Sequence, residues 1–272
     1  MNGQVVVAAL CLVALSGCEC GKRQQPKDTP PAEAVLPPGF DRVMADHEGL
    51  AFVARDALIR GDLERARQSM RKLAFFMEHT PYPDGGKDFA RITKALAAEV
   101  RSGRDLEEAC MAFARLSHAC GQCHHTLNRG PPVRLDPVPE GSDVKTHMRR
   151  HYWAVERMWE ALLTDSPRTF QRAARVLAEA PLHGERVPDS ETPAGVSRLG
   201  FEVHDLAFAA AVEGSNVVDD YVPGPGERRA SRPTTRGQAE IFGQILYTCN
   251  QCHEQLGVTP TLPGDPQPQG DP

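Results

Sequence analysis

Residues 113–127 read FARLSHACGQCHHTL, and residues 242–256 read FGQILYTCNQCHEQL. At an offset of 129 they pair Phe113 with Phe242, Leu116 with Ile245, Cys120 with Cys249, Cys123 with Cys252 and Leu127 with Leu256. The paired positions recur at intervals of 3, 4, 3 and 4. That spacing draws one stripe along an α-helix, and it puts both cysteines of each segment on the face to be buried. Asp105 followed by Glu108 has the pattern of a capping box opening the first of these helices, and Gly103 just before it suits the end of the preceding one.

Working outward, a second offset appears. Adding 104 carries Met44 to Met148, His47 to His151, Leu58-Ile59 to Leu162-Leu163, Leu73-Ala74 to Leu177-Ala178 and His79 to His183 without a gap. Asp62 and Ser166, the latter followed by Pro167, are N-cap residues at the same point of the repeat. Each half therefore opens with two helices. A third, about Lys87 to Ser102 and about Val196 to Glu213, completes four. The offsets differ by 25 residues, much of it a Pro/Gly/Arg-rich stretch near Val222 to Arg236 that belongs in a loop. Good helix formers with heptad-like apolar spacing, and no sustained period of two, predict an all-α protein of two tandem four-helix modules.

The remaining segments frame this repeat. An apolar run from Val5 to Leu15 falls well short of the roughly 20 residues that span a bilayer, and it ends in small residues, as a secretory signal does. Leu15-Ser16-Gly17-Cys18 has the form of a bacterial lipoprotein box, although Met1 to Gln4 lacks the usual Lys or Arg. Residues 19–39 are polar with five prolines and cannot bury a core. The predicted order is a signal peptide over 1–17, lipidated Cys18 and a flexible tether over 18–39, a first module over 40–129, a linker over 130–142, a second module over 143–257 and a disordered tail over 258–272. With 40% hydrophobic and 25% charged residues the composition is that of a soluble protein. A net charge of −5 with scattered Lys and Arg excludes a nucleic-acid binder. Aromatics are only 6%, so two cores need something else to fill them.

Eight cysteines sort by position: Cys11 in the signal, Cys18 for the lipid, Cys20 beside it, Cys110 on the buried stripe, and four in two pairs. Each pair is followed by a histidine, giving Cys120-Gly121-Gln122-Cys123-His124 and Cys249-Asn250-Gln251-Cys252-His253. In CxxCH the two thiols form thioethers with the porphyrin vinyl groups, and the adjacent imidazole reaches iron. A shared zinc site would join segments far apart in sequence and leave the repeated His unexplained. A thioredoxin-type dithiol requires an α/β context, whereas these pairs sit late in a helix. Two covalently bound haem c groups are expected, on Cys120/Cys123 with His124 and on Cys249/Cys252 with His253.

A CxxCH closing each helical module resembles the cytochrome c prime family of four-helix bundles, here duplicated, over about Asp41 to Asn128 and Asp143 to Gly257. Small cytochromes c with an early CxxCH and a downstream Met ligand fit less well, because Glu254 to Pro272 contains neither Met nor His. Family members keep the sixth iron position open behind an apolar side chain. Here positions 44, 47, 51, 54 and 58, and their counterparts 148, 151, 155, 158 and 162, form an inward seam that puts His47 and His151 opposite the attachment sites. They are the expected distal ligands, with Met44/Met148, His79/His183 or an open position as alternatives. His118, His125, His147 and His204, unmatched between the halves, read as surface or haem-edge residues. Trp153 and Trp159 read as core or haem-packing aromatics, Cys110 as a free core thiol.

Saturated iron implies an electron carrier and no enzyme. Soluble or membrane redox proteins would be its partners, on the periplasmic side of a membrane reached through the lipid, with Glu19 favouring the outer one. The alternatives are a five-coordinate haem protein that binds or senses NO, CO or peroxide, and a helical lipoprotein without haem.

Overall fold

The computed structural model describes residues 38–134, 136–179, 196–213 and 235–260, and these are helical with no strand among them. Among the described residues eight helices run in order: α1 Phe40–Ile59, α2 Leu63–His79, α3 Asp84–Ser102, α4 Leu106–Thr126, α5 Val144–Leu163, α6 Pro167–Ala178, α7 Val196–Val212 and α8 Thr235–Leu256. The 104-residue offset lays α1 on α5 from end to end, and the 129-residue offset does the same for the starts of α4 and α8. The lipoprotein box with Cys18 and Cys20, the tether up to residue 37, His183, most of the insertion near residue 222 and the tail from residue 261 lie outside the described residues.

Local signals explain where helices begin. Asp62 accepts the Arg65 amide at 3.0 Å, and Asp105 accepts that of Glu108 at 2.9 Å. Glu108 does not close the expected box on Asp105: its carboxylate takes the amide and guanidinium of Arg104, whose charge is the stronger attraction. Ser166 occupies the N-cap before Pro167, but its hydroxyl meets Thr169 instead of a backbone amide.

Within each half consecutive helices pack on one another, α1 to α4 and α5 to α8. The halves are not separate bodies. α4 lies along α8 far more extensively than along α1, α1 also touches α8, and α5 packs on α4. Gly243 permits the close approach, since a Cβ there would sit 2.7 Å from Met111 Sδ and 3.2 Å from the Cys110 carbonyl. Phe113, Leu116, Phe242 and Ile245 of the two stripes are all fully buried in a common core with Trp159 and Met158. Trp159 donates its indole N–H to Ser117 at 3.1 Å, tying α5 to α4.

A buried charge also joins the halves. Arg55 has no exposed surface; its guanidinium pairs with Asp56 at 2.7 Å, donates to the Tyr152 hydroxyl at 2.8 Å, and lies 4.5 and 4.8 Å from the ring centres of Phe52 and Trp159. The segment expected as a plain linker is strapped to α5: Arg134 pairs with Glu156 at 3.0 Å, and the Asp136 and Pro139 carbonyls accept from Trp153 and Arg150.

Candidate functional site

The stripe on α4 ends in a cavity. About 450 Å³ opens between the start of α1, the end of α2, the start of α3 and the end of α4, lined among others by Met44, His47, Tyr82, Thr93, Cys120, Cys123 and His124. That volume lies within the range of cofactor sites, roughly 300–1,000 Å³. The first CxxCH and the helix-one His thus face the same space, brought together because those four helix ends share one end of the half.

Each cavity group is shaped by burial. His47 is 6% exposed, and neither ring nitrogen has a hydrogen-bond partner. Desolvation holds its pKa down to about 4; the neighbouring Asp46 opposes this, and the second imidazole, His124, adds to it. A buried imidazole with no partner on either nitrogen is costly unless something else meets it. His124 is also held below the usual histidine range by desolvation, partly offset by the hydrogen bond of Nδ1 to the Leu163 carbonyl, 2.7 Å away. Since a carbonyl can only accept, Nδ1 carries the proton and the Nε2 lone pair is left for a ligand. Burial pushes the Cys120 thiol up to about 12 and the Cys123 thiol to about 11. Neither is in a disulfide, nor are Cys249, Cys252 and the buried Cys110.

Of the alternative ligands, Met44 lines the cavity and His79 does not. His79 is exposed, bonds the Phe75 carbonyl at 2.8 Å and stacks on that ring at 4.1 Å. Sequence reasoning missed Tyr82, whose ring lies 6.5 Å from His47 and whose hydroxyl pKa is raised by burial. It lies in the turn after α2, where no periodicity points inward. Thr93 carried a weak signal, as one of the spaced small residues Ala90, Thr93 and Ala97 that α3 buries.

In the second half Cys249, Cys252 and His253 sit late in α8, and the His253 Nδ1 faces the Ile59 carbonyl at 3.4 Å. His151 stands at the His47 position of α5, but with company. His147, one turn earlier, and His204 of α7 place ring nitrogens within 4.8 Å of one another and of His151, the one grouping of three potential metal ligands among the described residues. Of the two expectations for His147 and His204, surface or haem edge, the surface one fails: His147 is buried and His204 half-buried, with the His204 ring 6.0 Å from that of His147 and 5.2 Å from that of His151. Desolvation lowers the His204 pKa; the Leu177 and Ala178 carbonyls at the end of α6 offset part of it without reaching hydrogen-bonding geometry. His118 is half-buried and His125 exposed. The two cysteine pairs do not converge on a shared set of metal ligands.

No family model, curated protein or solved structure matches the chain. The cytochrome c prime resemblance thus rests on the CxxCH motifs and the repeated Met-x-x-His alone. Among the described residues no helix is long and apolar enough to cross a membrane.

Proposed function

We propose that the chain is a dihaem c-type cytochrome that carries electrons and turns over no substrate. The observation carrying this reading is the meeting of Cys120, Cys123 and His124 with a buried His47, unpartnered at both ring nitrogens, across one cofactor-sized cavity. Bound haem would supply a one-electron iron couple. Cys120 and Cys123 would fix one haem by thioethers, and Cys249 and Cys252 the other. His124 and His253 offer Nε2 as proximal ligands. His47 and His151 are the distal ligands of this reading, with Met44 and Met148 as near neighbours. Burial keeps His47 neutral, the form that ligates iron.

In the same reading each half is a cytochrome c prime-like four-helix module, and the mature protein is anchored through lipid on Cys18 at the periplasmic face of a membrane. Its partners are redox proteins. Carbon monoxide added to the reduced protein is the test. Two six-coordinate haems bind it slowly and incompletely, whereas rapid, full binding at both would turn the reading toward a five-coordinate gas-binding protein.

A further inference from the structure

The last turns of α1 and α5 leave the same acceptor over. In α1 the Arg60, Asp62 and Gly61 amides take the carbonyls of Asp56, Ala57 and Leu58. In α5 the amides of Thr164, Ser166 and Asp165 take those of Glu160, Ala161 and Leu162. Four carbonyls at a helix end need partners from outside the helix ladder. The fourth in each case is met by a histidine of the other half: Ile59 by His253 at 3.4 Å and Leu163 by His124 at 2.7 Å. Ile59 and Leu163 are equivalent by the 104-residue offset, and the two histidines by the 129-residue offset. Leu163 also lines the cavity of the first half.

The neighbouring contacts are reciprocal as well. A Cβ on Gly121 would run into the Leu162 carbonyl, and one on Gly61, at φ +76°, would run into the Asn250 side chain. Gly121 and Asn250 are equivalent middle residues of the two CxxCH motifs. The small residue lies on α4 at one contact and on the α1–α2 turn at the other.

Resting on the dihaem reading, we propose that each half completes the haem site of the other, with the Leu163 carbonyl positioning His124 and the Ile59 carbonyl positioning His253. A carbonyl at the negative end of a helix accepts the Nδ1 proton, fixes the ring's tautomer and rotation, and makes Nε2 a stronger donor that favours oxidised iron. The potential of each haem is then set by the helix that carries the distal histidine of the other. Ile59 and Leu163 act as positioning residues.

Gly61→Ala tests this, because it lies in the first half and its predicted effect is on the second haem. Haem content is measured first: a chain without thioether-linked haem overturns the underlying reading. With two haems present, a redox titration reads both potentials, assigned by comparison with C249A/C252A, which lacks the second attachment site. The expected result is about a tenfold shift of the second haem toward its reduced form, 59 mV for one electron, with the first haem moved much less. Asn250→Gly on the same chain should reverse much of the shift, since it makes room for the new methyl and Gly121 already occupies that motif position in the first site, while the strain of alanine at φ +76° stays. A shift confined to the first haem, shared equally or absent overturns the cross-half coupling alone, as does a shift that Asn250→Gly fails to reverse. Should Gly61→Ala not accumulate, G61A/N250G is compared with Asn250→Gly, and recovery of the folded dihaem protein with an ordinary second potential is the supporting result.

Discussion

Replacing His47 with leucine should remove a large part of the acid sensitivity of the haem-free chain. The folded pKa of His47 lies near 4, below its value of 6.5 in the absence of burial. Between those values the unfolded chain binds the proton and the folded chain does not, so stability falls as pH drops through 6.5 toward 4. At pH 4.5 the penalty from this one ring is about 2–3 kcal/mol, and at pH 7 it is a few tenths. Leucine has similar volume, no proton to take up, and no unpartnered nitrogens. Urea unfolding of the chain made in a reducing cytosol without haem attachment, at pH 7 and pH 4.5, gives the comparison. With a slope of roughly 1–3 kcal/mol per molar urea, the wild-type midpoint should drop by about 1 M more than that of His47→Leu. Equal drops in the two proteins would refute the claim that His47 is held neutral by burial. In the haem-loaded protein, His47→Ala should convert only the first haem to a high-spin form and His151→Ala only the second.

Asp56→Ala leaves the Arg55 guanidinium buried against Phe52 and Trp159 without its anion, and should cost about 3–5 kcal/mol in chemical denaturation; Tyr152→Phe, which removes one hydrogen bond, should cost about 1–2. Gly121→Ala pushes a methyl against the backbone of α5 and should destabilise by about 1–3 kcal/mol, read as a lower melting temperature. Cys18→Ser should release holoprotein from membranes into the soluble periplasmic fraction; unchanged fractionation would remove the lipoprotein proposal.

Helical class was legible because the stripes of α4 and α8 and the paired seams of α1 and α5 repeat at helical spacing, and burial is what such spacing reports. The convergence of His47 with Cys120 and His124 followed from the same pattern plus the rule that alternate helix ends meet. What stayed hidden was contact that no side-chain pattern encodes. The carbonyls of Ile59 and Leu163 are backbone groups, so nothing in those residue types announces that they meet His253 and His124. No sequence pattern marks Arg55 for burial; its partners Tyr152 and Trp159 come from α5. His147 lies one turn before His151 on the same helix, but His204 had no matching histidine in the first half, so the repeat offered no hint that α7 brings its ring against both. The asymmetry gathers three imidazoles at the start of α5 where the start of α1 has His47 alone, and no offset could supply that.

The most direct test of the account is the mass of the mature protein and of its peptides after export in a host that attaches haem. Two haem adducts per chain are expected, one on the peptide with Cys120 and Cys123 and one on the peptide with Cys249 and Cys252. Four free or disulfide-bonded cysteines in the folded, exported protein would contradict it.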